Sequence, residues 1–486
     1  MAEYFDVAVV GAGLSGIGAA VHLQRECPDR TFVILEGRDD LGGTWDLFRY
    51  PGVRSDSDMH TLGYSFKPWV KDKAIVDGPS ILEYLRETAT EHGVTKHIRF
   101  GHQVVAASWS SDEARWTLTI DGREPIECNF LFMCSGYYSY RGGFTPDFAG
   151  REGFEGIIVH PQEWPEDLDY QGKRVVIVGS GATAMTLLPA MATDAAHVTM
   201  VQRSPTYVVA RPEKDVIANR LMRVLPSKWA YRIVRKKNIA LTAFLYKASR
   251  QRPAKLKARV LKMTSDALGE DVTREHFTPS YNPWDQRLCL IPNGDLYHAL
   301  NSGAASVVTA TIDHFDESGI QLDSGEHLDA DIIVTATGLR LVTIGNMDFV
   351  VDGVAVDFAQ TYTYRGIAYS DVPNIVATFG YINASWTLRS DLIAGFVCRL
   401  LNHMSATGTR QCTPRLRLSD YDMVQRPFIT DFSSGYMQRG LPLLPRQGDR
   451  DPWRNPQQLA ADRKLLLAPI DDGVMQFTAA RVTEGV

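Results

Sequence analysis

Two glycine-rich turns hold the residues whose spacing most directly implies chemistry in this 486-residue chain. Upstream is Gly11-Ala12-Gly13-Leu14-Ser15-Gly16, and downstream is Gly179-Ser180-Gly181-Ala182-Thr183-Ala184. Each follows a strand-like run, Phe5 to Val10 and Arg174 to Val178, and the first leads into a helical pattern from Ile17 to Arg25. In such a turn the first glycine permits the bend and the second lets the backbone approach a pyrophosphate. The third lets helix pack on strand, and alanine, here Ala184, is an accepted variant. Free N–H groups at a helix start then face the phosphates. The strands that follow end differently. Thr31 to Leu35 ends in Glu36, a carboxylate spaced for a ribose hydroxyl pair. His197 to Val201 ends in Gln202-Arg203-Ser204, and an arginine there suits the 2′-phosphate of NADPH. The plainer alternatives are a glycine cluster serving helix packing and a surface arginine at a strand end.

Three loops carry further candidates. Leu41 to Asp56 reads LGGTWDLFRYPGVRSD: Gly42-Gly43 allow close approach to a flat ligand, Trp45 offers an apolar plane, and Arg54 and Asp56 set a cation near a carboxylate. The alternative is an irregular surface loop with an incidental ion pair. Phe154 to Pro165, FEGIIVHPQEWP, lies between the two turns and reads as a linker broken by Gly156 and Pro161. Its His160 is either catalytic or a residue that fixes loop geometry through a hydrogen bond, the commoner role. Tyr281 to Asp295 is rich in turn residues and contains a single arginine, Arg287.

The elements that must position these residues belong to a chain long enough for two or three domains. A charged fraction of 22% against 44% hydrophobic residues suits globular cores, and a net charge of -6 argues against a general nucleic-acid binder. None of the six cysteines forms a C-x-x-C pair, so neither a zinc ribbon nor a redox dithiol is signalled. Their scatter and a strand pattern beginning at Phe5 lead us to expect a cytoplasmic protein without a signal peptide. No apolar run approaches membrane-spanning length. Arg211 to Lys262 is different: helical in pattern, with many Lys and Arg and only Glu213 and Asp215 as acids. That segment suits peripheral membrane contact, attraction of an anionic coenzyme, or simply a solvated face.

The pattern F-x-G-x-x-x-H-x-x-x-W-P at 154–165, between two dinucleotide turns, resembles the fingerprint of flavin-dependent Baeyer–Villiger monooxygenases. GGTWDLFRYPG, RSDSDM, GSGATA, QRSPTY, NPWDQRLC and GYINASWTL resemble the branch that activates thioamide drugs. The resemblance implies an α/β fold with two Rossmann-like domains. An FAD domain would be built from 1–145 and 336–486. An NADP domain at 150–335 would carry a helical insertion at about 211–278. It further implies that Thr44, Trp45, Asp46 and Leu47 line FAD, with Arg54, Ser55 and Asp56 beside it. Val104 would contact the adenine through its backbone. Arg287 would be the essential arginine over the flavin, oriented by Asp56. DIIVTATG at 331–338 would carry the chain back to the flavin domain, and GYINASWTLRSD at 380–391 would lie near the flavin. The residues of 380–391 themselves predict the opening of a helix capped by Asn383 or Ser385, and the Arg, Pro and Asp content from Thr407 predicts loops. The implied reaction converts ketones to esters or lactones with O2 through a C4a-peroxyflavin, with S-oxygenation of sulfides or thioamides. A flavin-containing N- or S-monooxygenase without ketone chemistry is the alternative.

Overall fold

The computed structural model describes residues 2–286, 288–430 and 432–479. Val7, Ala8 and Val9 have no solvent exposure because their strand, Glu3–Val10, lies between parallel neighbours Phe32–Leu35 and Ile126–Met133. A strand covered on both faces reads as a continuous apolar run rather than as an alternation. Among the described residues this sheet has nine strands. Their order is Val354–Ala355, Asp348–Val351, Val104–Ser110, Arg115–Ile120, Ile126–Met133, Glu3–Val10, Phe32–Leu35 and Ile98–Arg99, with Ile375–Ala377 also paired to Ile126–Met133. Strands from the late chain thus complete a sheet begun by the early chain.

The second sheet is parallel throughout, in the order Ala305–Thr309, His197–Gln202, Arg174–Val178, Ile332–Thr335 and Ile157–Val159. The fold is therefore α/β with two Rossmann-like sheets. The segment read as a linker does more than link. Its β-branched trio Ile157, Ile158 and Val159 pairs with Ile332–Val334 and forms the sheet edge.

The basic segment is helical: Val216–Val224, Ser227–Gln251, Pro253–Leu268 and Glu270–His276. Its breaks follow the sequence. Asp215 caps the first helix by accepting the Ala218 N–H at 3.0 Å, Pro253 opens the third at a first-turn position, and Gly269 takes φ +89° between the last two. The helix Trp386–Thr407 packs across Leu14–Glu26, burying Ile393, Val397 and Leu401 in the same core as Ile17 and Val21. Each such aliphatic side chain contributes about 1.5–3 kcal/mol of burial. It begins where the sequence suggests, with Ser385 at the cap position, but the hydroxyl does not cap; it bonds Thr61 Oγ1 at 2.6 Å.

The loop expectation for the C-terminal part needs correction. Thr409–Pro414 pairs antiparallel with Met475–Ala479, and Leu459–Leu466 is a helix. The Arg and Pro content there masks a ladder whose inner residue, Cys412, is buried and donates its N–H to Asn374 Oδ1 at 2.7 Å. Trp453 is fully buried, with its indole N–H on Asp420 at 3.0 Å. Among the described residues no helix is long and apolar enough to cross a membrane.

Candidate active site

One cavity of about 2250 Å³ runs past both glycine turns. A pocket for one drug-sized ligand takes about 300–1,000 Å³, so this space accommodates more than a single small molecule.

The first turn is tightly built. Gly11 has φ +102°, and a Cβ there would lie 2.7 Å from the Cys134 carbonyl oxygen. A Cβ on Gly16 would meet the Gly11 carbonyl oxygen at 1.9 Å, so only glycine lets the helix start this close to the strand. No side chain caps that helix at Gly13. The Gly42 N–H donates to the Ala12 carbonyl at 3.0 Å, folding the Gly42–Leu47 segment over the turn. Glu36 is buried and its carboxylate accepts the Ala12 N–H at 2.7 Å and the Arg38 N–H at 3.0 Å. Burial pushes its pKa up, and the two N–H groups oppose that rise. Ser15 Oγ accepts the Trp386 indole N–H at 2.8 Å, tying the turn to the late helix.

The other residues expected around the first turn divide into two groups. Thr44, Trp45, Ser55, Asp56 and Val104 line the cavity, as do Gly11, Gly13, Ser15 and Glu36. Gly16, Asp46 and Leu47 stand off its wall. Asp46 is buried in ion pairs with Arg38 at 2.6 Å and Arg49 at 3.4 Å, so it braces the loop. Arg54 lines the cavity, and its Nη1 pairs with Asp295 at 2.5 Å, joining the first turn's loop to the second half of the molecule. Arg287 lies outside the described residues; its chain neighbours Gln286 and Leu288 line the cavity.

The second turn is looser. Gly179 has φ +128° with the Ala336 carbonyl oxygen 2.4 Å from a would-be Cβ, but a Cβ on Gly181 would meet nothing within 4 Å. Gly179, Ser180, Gly181, Ala182 and Thr183 line the cavity, whereas Ala184 is buried against the sheet. Ser180 Oγ donates to the Ser204 carbonyl at 3.0 Å and accepts from Thr206 Oγ1 at 3.2 Å. Arg203 and Ser204 are exposed on the cavity wall. The preceding Gln202 is buried, with its amide on the His276 carbonyl at 2.7 Å and on Thr309 Oγ1 at 3.0 Å, which fixes the strand end from which Arg203 projects.

The family described as flavin-binding monooxygenase-like matches residues 5–344. The chain belongs to this family. The FAD-containing monooxygenase EthA of Mycobacterium tuberculosis is 50% identical to it over 493 residues, covering all of both chains. A probable FAD-binding monooxygenase, AlmA of Acinetobacter baylyi, is 46% identical over 98% of this chain and 97% of its own. Among solved structures, oxidised steroid monooxygenase bound to NADP superposes with a TM-score of 0.74 at 24% identity, over 85% of this chain and 88% of that one. As a member of this family the protein is a flavin monooxygenase. The relatives' names carry FAD and the steroid monooxygenase structure carries NADP, in agreement with the two cofactors expected from the turns.

His160 sits off the cavity wall of this monooxygenase. Its Nε2–H donates to the Gly338 carbonyl at 3.1 Å and its Nδ1 accepts the Gln162 N–H at 3.1 Å. Burial lowers its pKa, and both ring nitrogens are engaged, as suits a neutral ring that fixes a loop. It pins the fingerprint segment to the crossing at residues 331–338.

Several lining residues were not singled out from the sequence, although one of them, Trp386, lies in the motif at 380–391. Trp386 stacks on Tyr137 at 5.2 Å and 7°, and both line the cavity. The Arg439 guanidinium lies 3.7 Å above the Phe144 ring on the same wall, and nothing in its local sequence signals this. Ile239, Thr242 and Tyr246 of the basic insertion also line the cavity, at a helical spacing that a finer periodicity reading would have separated from the exposed face.

Proposed function

We propose that this flavin monooxygenase is an NADPH- and FAD-dependent Baeyer–Villiger enzyme that inserts one atom of O2 beside a ketone carbonyl. The product is an ester or lactone; the second oxygen leaves as water, and NADPH supplies the two electrons. Sulfides and thioamides are taken as S-oxygenation substrates. The observation that carries the reading is the single cavity reaching both glycine turns, with Asp56 and the neighbours of Arg287 on its wall. In this reading 1–145 and 336–486 form the FAD domain and 150–335 the NADP domain, with its helical insertion at 211–278. The protein works in the cytoplasm, with peripheral membrane contact through that insertion.

The residues fit the cofactors. The first turn is a cradle where added Cβ atoms on Gly11 and Gly16 would collide with backbone, and Glu36, on the cavity wall, would accept from ribose hydroxyls. Arg203, Ser204 and Thr183 would hold the NADPH phosphates. When bound, FAD supplies hydride acceptance and oxygen activation. Arg287 stays charged throughout and stabilises negative charge on the reacting oxygen and on the substrate carbonyl oxygen. Asp56 orients that guanidinium. Trp45 and Trp386 supply apolar walls that exclude water.

The test is product mass from a panel of ketones and sulfides turned over under ¹⁸O2. The expected result is ester carrying one labelled oxygen. Arg287→Ala should retain FAD yet make no ester, with reducing power lost as hydrogen peroxide, and Asp56→Ala should give a milder loss. Sulfoxide without ester from wild-type protein would favour the N- or S-monooxygenase alternative. Ester from Arg287→Ala would assign the charge-stabilising role elsewhere.

A further inference from the structure

The helix Ser227–Gln251 does two things at once. Its inner face is anchored: Arg235 donates to the carbonyls of His60, Thr61 and Gly63, Tyr231 donates to the Tyr64 carbonyl at 2.9 Å, and Asn238 donates to Asp58 at 2.9 Å. Its flank, at Ile239, Thr242 and Tyr246, is cavity wall. Its outer face exposes Trp229 (61%), Ile233 (45%) and Phe244 (67%), and Lys236 shares that face at helical spacing, while Lys247 stands at its border with the cavity wall. Val224, on the preceding helix, is 76% exposed and extends the apolar surface.

The charge around this face is one-sided. Between Val216 and Ser265 the chain has fourteen Lys and Arg and no Asp or Glu, although the whole protein carries -6. Arg235, Lys237, Arg250 and Lys262 are paired with acids. Arg220, Arg223, Lys228, Arg232 and Lys236 take no part in the ion pairs among the described residues, and all five are exposed. Exposed aromatic and aliphatic side chains flanked by unpaired cations make a helix face suited to lie in a headgroup layer.

We propose that this face seats the enzyme on an anionic phospholipid surface, and that the cavity takes long-chain apolar substrate from that bilayer past the helix both share. The occupant follows from charge complementarity joined to exposed aromatics; a nucleic acid would use the cations but leave Trp229 and Phe244 in water. The delivery step rests on the ketone reading above, whereas the docking step does not.

The experiment is sedimentation of the FAD-loaded full chain with vesicles of phosphatidylcholine alone or mixed with phosphatidylglycerol. The expected result is several-fold greater recovery with the anionic vesicles at low salt, lost at high salt. Lys228→Glu/Lys236→Glu should weaken recovery by about tenfold or more, since each basic residue near such a surface is worth about 1 kcal/mol. Trp229→Ser/Phe244→Ser should lower recovery several-fold and leave NADPH-driven flavin reduction intact, because neither side chain lines the cavity. Equal recovery with both vesicle types, unchanged recovery in the variants, or retention on duplex DNA in place of vesicles would overturn the proposal. For delivery, undecanone held in the bilayer should turn over several-fold more slowly in Trp229→Ser/Phe244→Ser, with butanone in solution unaffected. Equal effects on both ketones would refute delivery. No turnover of either ketone by wild-type protein would sink the ketone reading, and vesicle recovery would still decide the surface.

Discussion

The two glycine turns share strand, turn and helix, yet they are built for different tenancies. At the first, Gly16 leaves no room for a Cβ, Gly42–Leu47 folds over the turn, and Glu36 is buried and held by two backbone N–H groups. At the second, Ala184 occupies the place of Gly16 without collision, Gly181 faces open space, and Arg203 and Ser204 are exposed. A clasped turn suits a resident flavin and an open turn suits a coenzyme that arrives and leaves. The motif fixes which part of a dinucleotide is bound; what covers the motif governs how long it stays.

Substitutions at the third position should break the symmetry most severely. Gly16→Val should cost about 3 kcal/mol or more and yield protein without flavin, because its Cβ would lie 1.9 Å from the Gly11 carbonyl oxygen. Ala184→Gly should cost only about 1 kcal/mol, the helix-propensity difference. Chemical denaturation and the flavin-to-protein absorbance ratio check both. Comparable flavin loss from the two variants would remove the distinction between the turns.

A smaller effect is expected from Trp386→Phe, which deletes the indole N–H on Ser15 Oγ. The expected loss is about 1 kcal/mol of stability in the flavin half, or roughly fivefold faster FAD release, with the Michaelis constant for NADPH unchanged. A shift confined to the NADPH constant would show that Trp386 serves the second turn.

The smallest effect concerns His160, in the segment between them. Burial lowers the pKa of His160 below its ordinary value of 6.5 in the folded protein. The unfolded chain therefore takes up the proton first as pH falls. The stability this neutral imidazole supports is full above about pH 6.5 and declines below it. Denaturant midpoints at about pH 7.5 and pH 5.5 should converge in His160→Asn relative to wild type, since the substitution removes one group responsible for the decline. An unchanged acid sensitivity would show that His160 titrates alike in both states.

Much of this was legible in the chain because strand, glycine and terminal residue are local features. Gly11, Gly179, Glu36 and Arg203 could be placed from spacing alone. Where the structure differs, non-local pairing decided. Asp46 turns from the cavity because Arg38 and Arg49 claim it. Ile157–Val159 becomes an edge strand because Ile332–Thr335, far along the chain, offers it a ladder. Tyr137 and Arg439 converge on the cavity from distant segments, and no period or motif announces that convergence, whereas Trp386 comes from the motif at 380–391. Arg287 was reached through resemblance, and its role rests on the proposed chemistry.

The claim that joins both turns is that electrons pass from a phosphate-selected coenzyme at the second turn to a flavin at the first. Anaerobic stopped-flow reduction of the bound flavin by NADPH and by NADH, in wild type and Arg203→Ala, tests it most directly. A lost charge-assisted contact of about 1.5–3 kcal/mol corresponds to roughly 10- to 100-fold in affinity for NADPH. The account predicts that wild type bleaches its flavin at much lower NADPH than NADH and that Arg203→Ala loses that preference while NADH reduction is retained. Equal reduction by both coenzymes in wild type, or a preference that survives Arg203→Ala, would contradict it.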